Sequence, residues 1–235
     1  MSRSKENKAW RPGMSHLFVT ADMHLGHANI CRYCGRPWIK DGDLNSLGEW
    51  ITGERKDACA YRMNRGLVTR WNSRVSDDDT VIHIGDFCCR GNEKGVSGVR
   101  VKADEWEGKL NGKIIHIRGN HDKNNGVRFA LENATIYFGN LTMFMIHIPP
   151  QHQDEIPRCD LVLCGHIHDK WKMRLLDGGI PMFNVGVDTR KFMPVRADEI
   201  VSEYWRWRNE CKDNGRCLAD GQVQREQASN PPGSG

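Results

Sequence analysis

Thr80-Val81-Ile82-His83-Ile84-Gly85-Asp86 follows a turn of three aspartates, Asp77 to Asp79, and stops abruptly at a glycine and a carboxylate. An apolar, β-branched run of this length between turn residues reads as a strand. Other stretches repeat the pattern. His16 to Ala21 leads into Asp22-Met23-His24, and Lys113 to Ile117 precedes Gly119-Asn120-His121-Asp122. Leu141 to Ile148 carries His147, and Leu161 to Cys164 runs into Gly165-His166-Ile167-His168. Strand after strand thus ends in a polar, ligand-rich cluster. Strands alternate with helix-compatible segments early and follow one another later, which predicts a layered α/β domain. In such sheets, ligand sites form at the carboxyl edge of the strands.

The remaining segments fill in that expectation. Ala28 to Cys34 predicts a short helix stopped by Gly35 and Pro37. Residues 43–75 have helical spacing at Leu44, Leu47, Trp50 and Ile51, then at Met63, Leu67, Val68 and Trp71, with a polar interruption from Gly53 to Ala60. Val99 to Leu110 predicts a helix and Phe129 to Leu131 a helical remnant. Thr135 to Phe138 predicts a strand, and Trp171 to Leu176 with Met182 to Val185 a hairpin around Asp177-Gly178-Gly179. Ile200 to Trp207 predicts a last strand. Residues 1–15 read as a flexible lead-in, 16–207 as one domain, and 208–235 as a disordered tail.

Composition sets outer bounds. The 235 residues are 38% hydrophobic and 27% charged, with a mean hydropathy of −0.64. No apolar run approaches the roughly 18 residues a membrane span needs, and the N-terminus lacks the apolar core of a secretory signal. These features predict a cytoplasmic chain. A net charge of +4 is too small to argue for nucleic acid by itself. Nine cysteines, odd in number and irregularly spaced, read as reduced thiols. Cys31-x2-Cys34 is half of a zinc knuckle without a matching second half. The ten histidines are the feature that needs a reason.

Taken singly, each cluster has a plain explanation as a turn, a cap or a half-buried histidine. Their order is far more specific: Asp-x-His at 22–24, Gly-Asp at 85–86, Gly-Asn-His-Asp at 119–122, His-x-Pro at 147–149, and Gly-His-x-His at 165–168. This series resembles the calcineurin-like metallophosphoesterase superfamily over roughly residues 16–205. The resemblance implies a four-layer α/β/β/α sandwich of two mixed sheets flanked by helices. It also implies two divalent metal ions, manganese first, with iron, zinc, nickel or cobalt as alternatives. Asp22, His24 and His168 would hold one ion, and Asn120, His147 and His166 the other, with Asp86 bridging. Phosphate ester cleavage suits such a pair. Two cations about 3.5–4 Å apart neutralise the phosphoryl oxygens and generate a bridging hydroxide for in-line attack. His121 would act on the leaving oxygen as a catalytic residue, with Asp122 orienting its ring. Loss of ligands would have pointed to a non-catalytic binding scaffold, but all seven expected ligands are present.

A small phage and bacterial subgroup is similar in further detail. It matches at Asp22-Met23-His24-Leu25-Gly26-His27-Ala28-Asn29-Ile30, Tyr33-Cys34, Arg36-Pro37-Trp38, Trp71-Asn72, Leu110-Asn111-Gly112-Lys113 and Asn184-Val185-Gly186-Val187-Asp188. His27 and Arg90 become candidate substrate-binding residues, against the alternatives of a helix cap and an exposed loop arginine. His83 and His116, inside strands, read as core residues or as supports behind the ligands. The resemblance implies a phosphodiesterase, with 2′,3′-cyclic nucleotides or RNA cyclic phosphate ends as the first substrates to expect and no membrane or protein partner. A DNA or RNA nuclease is the alternative. It would use a basic stripe at Arg62, Arg65, Arg70 and Arg74. A phosphomonoesterase or protein phosphatase ranks lower.

Overall fold

The computed structural model describes residues 15–89, 101–122, 126–127 and 130–214. Two five-stranded mixed sheets carry the fold. In the first, β1 (Leu17–Thr20), β2 (Thr80–Ile84), β3 (Lys113–Ile117) and β4 (Ala130–Leu131) run parallel, and β10 (Val195–Arg196) lies antiparallel on β1. In the second, β6 (Leu141–Ile146), β7 (Leu161–Cys164) and β9 (Pro181–Asn184) are parallel neighbours. β5 (Asn133–Phe138) pairs antiparallel with β6, and β8 (Met173–Leu175) with β9.

Alternation along the strands builds the layers. Val19, Ile82, Ile84 and Ile117 turn toward Leu141, Met143, Met145, Leu161, Leu163 and Phe183, forming an apolar layer between the sheets. Phe18 and Val81 face the opposite way, onto Cys31 of α1 (Asn29–Tyr33), Met63, Leu67 and Trp71 of α2 (Gly53–Asn72), and Trp106 of α3 (Ala103–Glu107). The mixed sheets and flanking helices are the architecture that the resemblance implied.

Parallel pairing has a functional consequence. Thr20 pairs with His83 and His83 with His116, so three strands end level. Asp22, Asp86 and Asn120 follow at one edge. The second sheet delivers His147 after β6 and His166 after β7 to the same place. Val187 N–H donates to the Ala21 carbonyl at 3.1 Å and fastens the two sheets together there.

Three expectations are corrected. The polar stretch from Gly53 to Ala60 does not interrupt a helix; it is the opening of α2. Thr52 caps it by accepting from Arg55 N–H, and only Cys59 and Ala60 of these residues are buried. The stretch before α2, with Leu44, Leu47, Trp50 and Ile51, forms turns and a bridge between Leu44 and Trp50 instead of the helix expected. Residues 130–131 form a strand on β3 rather than a helical remnant. The segment from Ile200 to Trp207 lies within α4 (Ala197–Asn214), a helix that runs past residue 207, where the tail was expected. Its buried residues Ile200 and Tyr204 are four apart, which is a helical period.

Candidate metal centre

Three loops hold the ligand-bearing side chains in conformations that most residues avoid. Asp22, His24, Asp86, His166 and His168 all have positive φ, between 50° and 71°. Each such residue costs on the order of 1–3 kcal/mol and persists only where its surroundings enforce it. Cross-loop hydrogen bonds do the enforcing. Asp22 N–H donates to Gly85 O, His24 N–H to Asp86 O and Leu25 N–H to Phe87 O, each at 3.0 Å. His166 N–H donates to both oxygens of Asp22, at 3.0 and 2.9 Å.

Two donor clusters result. Ligand atoms of Asp22, His24 and His168 lie within 4.8 Å of one another, as do those of Asp86, His147 and His166. Asn120 Oδ1 joins the second cluster, 3.0 Å from His147 Nε2 and 2.9 Å from His166 Nδ1. Asp86 Oδ2 stands between the clusters, 3.4 Å from His24 Nε2 and 3.4 Å from His147 Nε2. All seven residues expected as ligands therefore meet at one sheet edge.

The donor chemistry fits cations. His147 Nδ1 is 2.9 Å from Ile84 O, so Nδ1 carries a proton, and Nε2 faces Asn120 Oδ1 and Asp86 Oδ2. Burial disfavours a charged ring there, but Asp86 and Asp22 outweigh it and raise the His147 pKa; Nε2 and the two buried oxygens need a proton, or a cation in its place, between them. His24 is 2% exposed, and among the described residues neither of its ring nitrogens has a hydrogen-bond partner. Burial holds its pKa well below the ordinary histidine value, leaving a neutral imidazole. Burial pushes the Asp22 carboxyl up to about 6. Burial also opposes ionisation of Asp86, but His147 and His24 outweigh it and hold that carboxyl well below the usual range. His168 is disfavoured as a cation by burial, yet its bond to Asp188, with Cys34 and Asp22 nearby, lifts it to about 10.

Glycines make room for the ligands. A Cβ on Gly165 or Gly186 would stand 2.7 or 2.6 Å from Asp22 Oδ2, and one on Gly119 would overlap the Asp86 carboxylate and amide. Real Cβ atoms do not approach that closely, so the glycines of Gly-Asn-His and Gly-His-x-His are required by the ligands packed over them.

The other expected residues fall out as follows. His121 is exposed, its ring centroid is 5.5 Å from that of His24, and its N–H donates to Asp86 Oδ1 at 2.9 Å. It lies at the mouth of the site. Asp122, expected to orient the His121 ring, accepts from the backbone N–H groups of Asp86 (2.8 Å), Phe87 (3.1 Å) and Gly119 (2.8 Å). Those bonds lock two ligand loops together and make it a positioning residue. His27 lies beside His24, centroids 5.7 Å apart. Arg90 lies outside the described residues. His83 is fully buried and packs on Phe87 and His116, and His116 pairs with Glu107 at 3.0 Å. Both are core residues, as expected. Cys31 packs on Met63 Sδ at 3.5 Å, whereas Cys34 faces His168 and Asp188, so the two thiols serve different neighbourhoods.

The model for the calcineurin-like phosphoesterase superfamily domain matches residues 63–196, more than half of the chain. The chain belongs to this superfamily. It is 28% identical over 190 residues to an uncharacterised protein, MJ1445, of Methanocaldococcus jannaschii, an alignment covering 80% of this chain and 90% of that protein. Its structure is similar to that of a protein of unknown function, AQ665, from Aquifex aeolicus, with a TM-score of 0.52 and 18% identity over 80% of this chain and 99% of the other. Membership makes the chain a metallophosphoesterase, a hydrolase of a metal-dependent family, and the donor clusters are groups that could hold a metal ion.

Sequence reading gave no role to Arg36 and Asp188, which support this phosphoesterase site from beneath. The Arg36 guanidinium is buried and bonds to Asp188 through Nε at 2.7 Å and an Nη at 2.9 Å. It also donates to the carbonyls of Asp22 (2.7 Å) and Met23 (2.9 Å). Asp188 in turn holds His168 Nδ1 at 2.9 Å. One arginine thus ties the first ligand loop to the last. Asn184, also buried, donates to His168 O at 2.6 Å and accepts from Gly186 N–H at 2.8 Å. Both residues sat in short matching motifs, but 152 positions separate Arg36 from Asp188, and nothing local links them.

Proposed function

We propose that this phosphoesterase is a dimetal phosphodiesterase acting on small nucleotide diesters, with 2′,3′-cyclic nucleotides or RNA cyclic phosphate ends as the substrate class. The observation that best supports this reading is Asp86 Oδ2, a carboxylate oxygen 3.4 Å from a ring nitrogen of each donor cluster. Asp22, His24 and His168 would hold one cation, Asn120, His147 and His166 the other, and Asp86 both. Divalent cations there supply charge neutralisation for the phosphoryl oxygens and a water acidic enough to lose its proton near neutral pH. Imidazole and oxygen donors suit manganese, iron, zinc, nickel or cobalt, and manganese is the first we expect to activate.

The chain's own residues account for the rest. Asp86 takes the His121 N–H and so fixes the start of that side chain relative to the ligands. His121, exposed at the mouth, is within reach of an ester oxygen bound against the cluster and donates the proton that the departing ribose hydroxyl needs. Asp122 and Arg36 keep the loops rigid, so little reorganisation is needed on binding.

The basic stripe that would favour a nuclease is largely spoken for. Arg62 pairs with Asp43, Arg74 with Glu199 at 2.7 Å, and Arg70 stacks on Trp38 and Phe192. A panel of cyclic nucleotides, linear diesters, monoesters and oligonucleotides, assayed with manganese, nickel, zinc and magnesium, tests the reading. Cleavage of cyclic mononucleotides with little salt dependence is expected. Exclusive cleavage of oligonucleotides with a steep salt dependence would make the nuclease the better description.

A further inference from the structure

Cys89 follows Asp86 by three residues, and backbone pairing lays it alongside the first ligand loop. Leu25 and Cys88 form a bridge, and Cys89 N–H donates to Leu25 O at 2.9 Å. As a result a ring nitrogen of His24, a ring nitrogen of His27 and the Cys89 sulfur lie within 4.8 Å of one another. Tetrahedral ligands of a zinc-sized ion stand about 3.5 Å apart, given bonds of about 2.0–2.3 Å to nitrogen and sulfur, so small side-chain movements would close the set. A second observation points the same way. His147 and His168 each have Nδ1 tied to a fixed acceptor, Ile84 O and Asp188. His24, 2% exposed, has neither nitrogen hydrogen-bonded among the described residues, so no hydrogen bond there commits its ring to Asp22 and His168.

We propose that His24, His27 and Cys89 form an additional metal position, selective for a thiophilic divalent ion such as zinc or cadmium over manganese or magnesium, and that it shares His24 with the first cluster. Thiolate sulfur favours soft ions. On binding, the Cys89 S–H bond breaks, a sulfur–metal bond forms and the proton goes to solvent, with no change of oxidation state. The other thiol nearby, Cys34, faces a carboxylate already engaged by Arg36 and His168, so that group is a hydrogen-bonded network. Loading the sulfur-bearing position draws His24 from Asp22 and His168, and excess zinc then inhibits the manganese-loaded chain. The competition rests on the dimetal reading; the site itself does not.

Cobalt(II) titration of the full chain tests the site without substrate, since a thiolate ligand adds an intense near-ultraviolet charge-transfer band. The band is expected in the wild type, absent in Cys89→Ser, retained in Cys34→Ser, and shifted to at least about tenfold higher cobalt in His27→Gln. No band in the wild type, or a band that survives Cys89→Ser or disappears with Cys34→Ser, overturns the proposal. Zinc inhibition relieved by Cys89→Ser supports the competition, and inhibition unchanged in that variant overturns it. A chain that shows the band yet hydrolyses no phosphodiester with any metal counts against the phosphodiesterase reading and leaves the metal position standing.

Discussion

Replacing Asp188 by asparagine removes one negative charge from beneath the first cluster and nearly preserves shape. In the native chain this carboxylate, 2% exposed, accepts two bonds from Arg36 and one from His168. The amide can still accept from His168, but it cannot balance the buried guanidinium. Breaking a buried pair in this way costs about 3–5 kcal/mol, and the two carbonyl acceptors of Arg36 recover part of that. A domain stable by about 5–15 kcal/mol stays folded, with a lower melting temperature. The effect on the site is more specific. Groups that orient metal-ligating histidines are worth about 10–100-fold in affinity, and among the described residues Asp188 bonds on the Asp22–His24–His168 side, to His168 and to Arg36 beneath it. Calorimetric titration of wild type and Asp188→Asn with manganese should show the first site weakened by about 10–100-fold and the second changed by less than about threefold, with circular dichroism confirming the fold. Equal loss at both sites would mean that the network acts through global stability. Unchanged affinity at both would refute the orienting role altogether.

Other outcomes follow from the same geometry. Gly119→Ala places a methyl group on the Asp86 carboxylate and should weaken both metal positions that share it without unfolding the sheets, as measured by metal content and thermal melting. His121→Ala should keep both metals and lose about 10²–10⁴-fold in turnover, the range for a positioned proton donor; unchanged turnover at saturating metal would remove His121 from the reaction. Metal binding must displace a proton from His168, lifted to about 10, and below about 6 a second one from Asp22. First-site affinity should therefore fall by up to about tenfold per pH unit from 10 to 6 and by up to about a hundredfold per unit below 6; a flat profile would show that neither group is a ligand.

The donor clusters were legible because their chemistry is local: a carboxylate or imidazole shortly after a strand, with a glycine where a neighbour's Cβ cannot fit. Parallel register then converts sequence order into one edge. Segments governed by burial at a distance were harder to read. The aromatic-rich stretch from Ile200 to Trp207 looks like a strand until Ile200 and Tyr204 are seen on one buried face with Trp205 left 40% exposed. The first turns of α2 carry mostly exposed polar residues, so their periodicity is faint and only the Thr52 cap marks the start. Arg36 and Asp188 illustrate the deeper limit. Their partnership is a product of tertiary packing, and neither residue alone announces a supporting role. The same applies to Cys89, which gains its neighbours from the pairing of two loops.

The central claim is that Asp86 stands between two bound cations. Crystals grown with manganese and measured for anomalous scattering test it most directly. The account predicts two peaks, one beside Asp22, His24 and His168 and one beside Asn120, His147 and His166, with Asp86 Oδ2 between them, and loss of the pair in Asp86→Asn. A single peak in a fully active crystal, or two peaks that persist unchanged in Asp86→Asn, would contradict it.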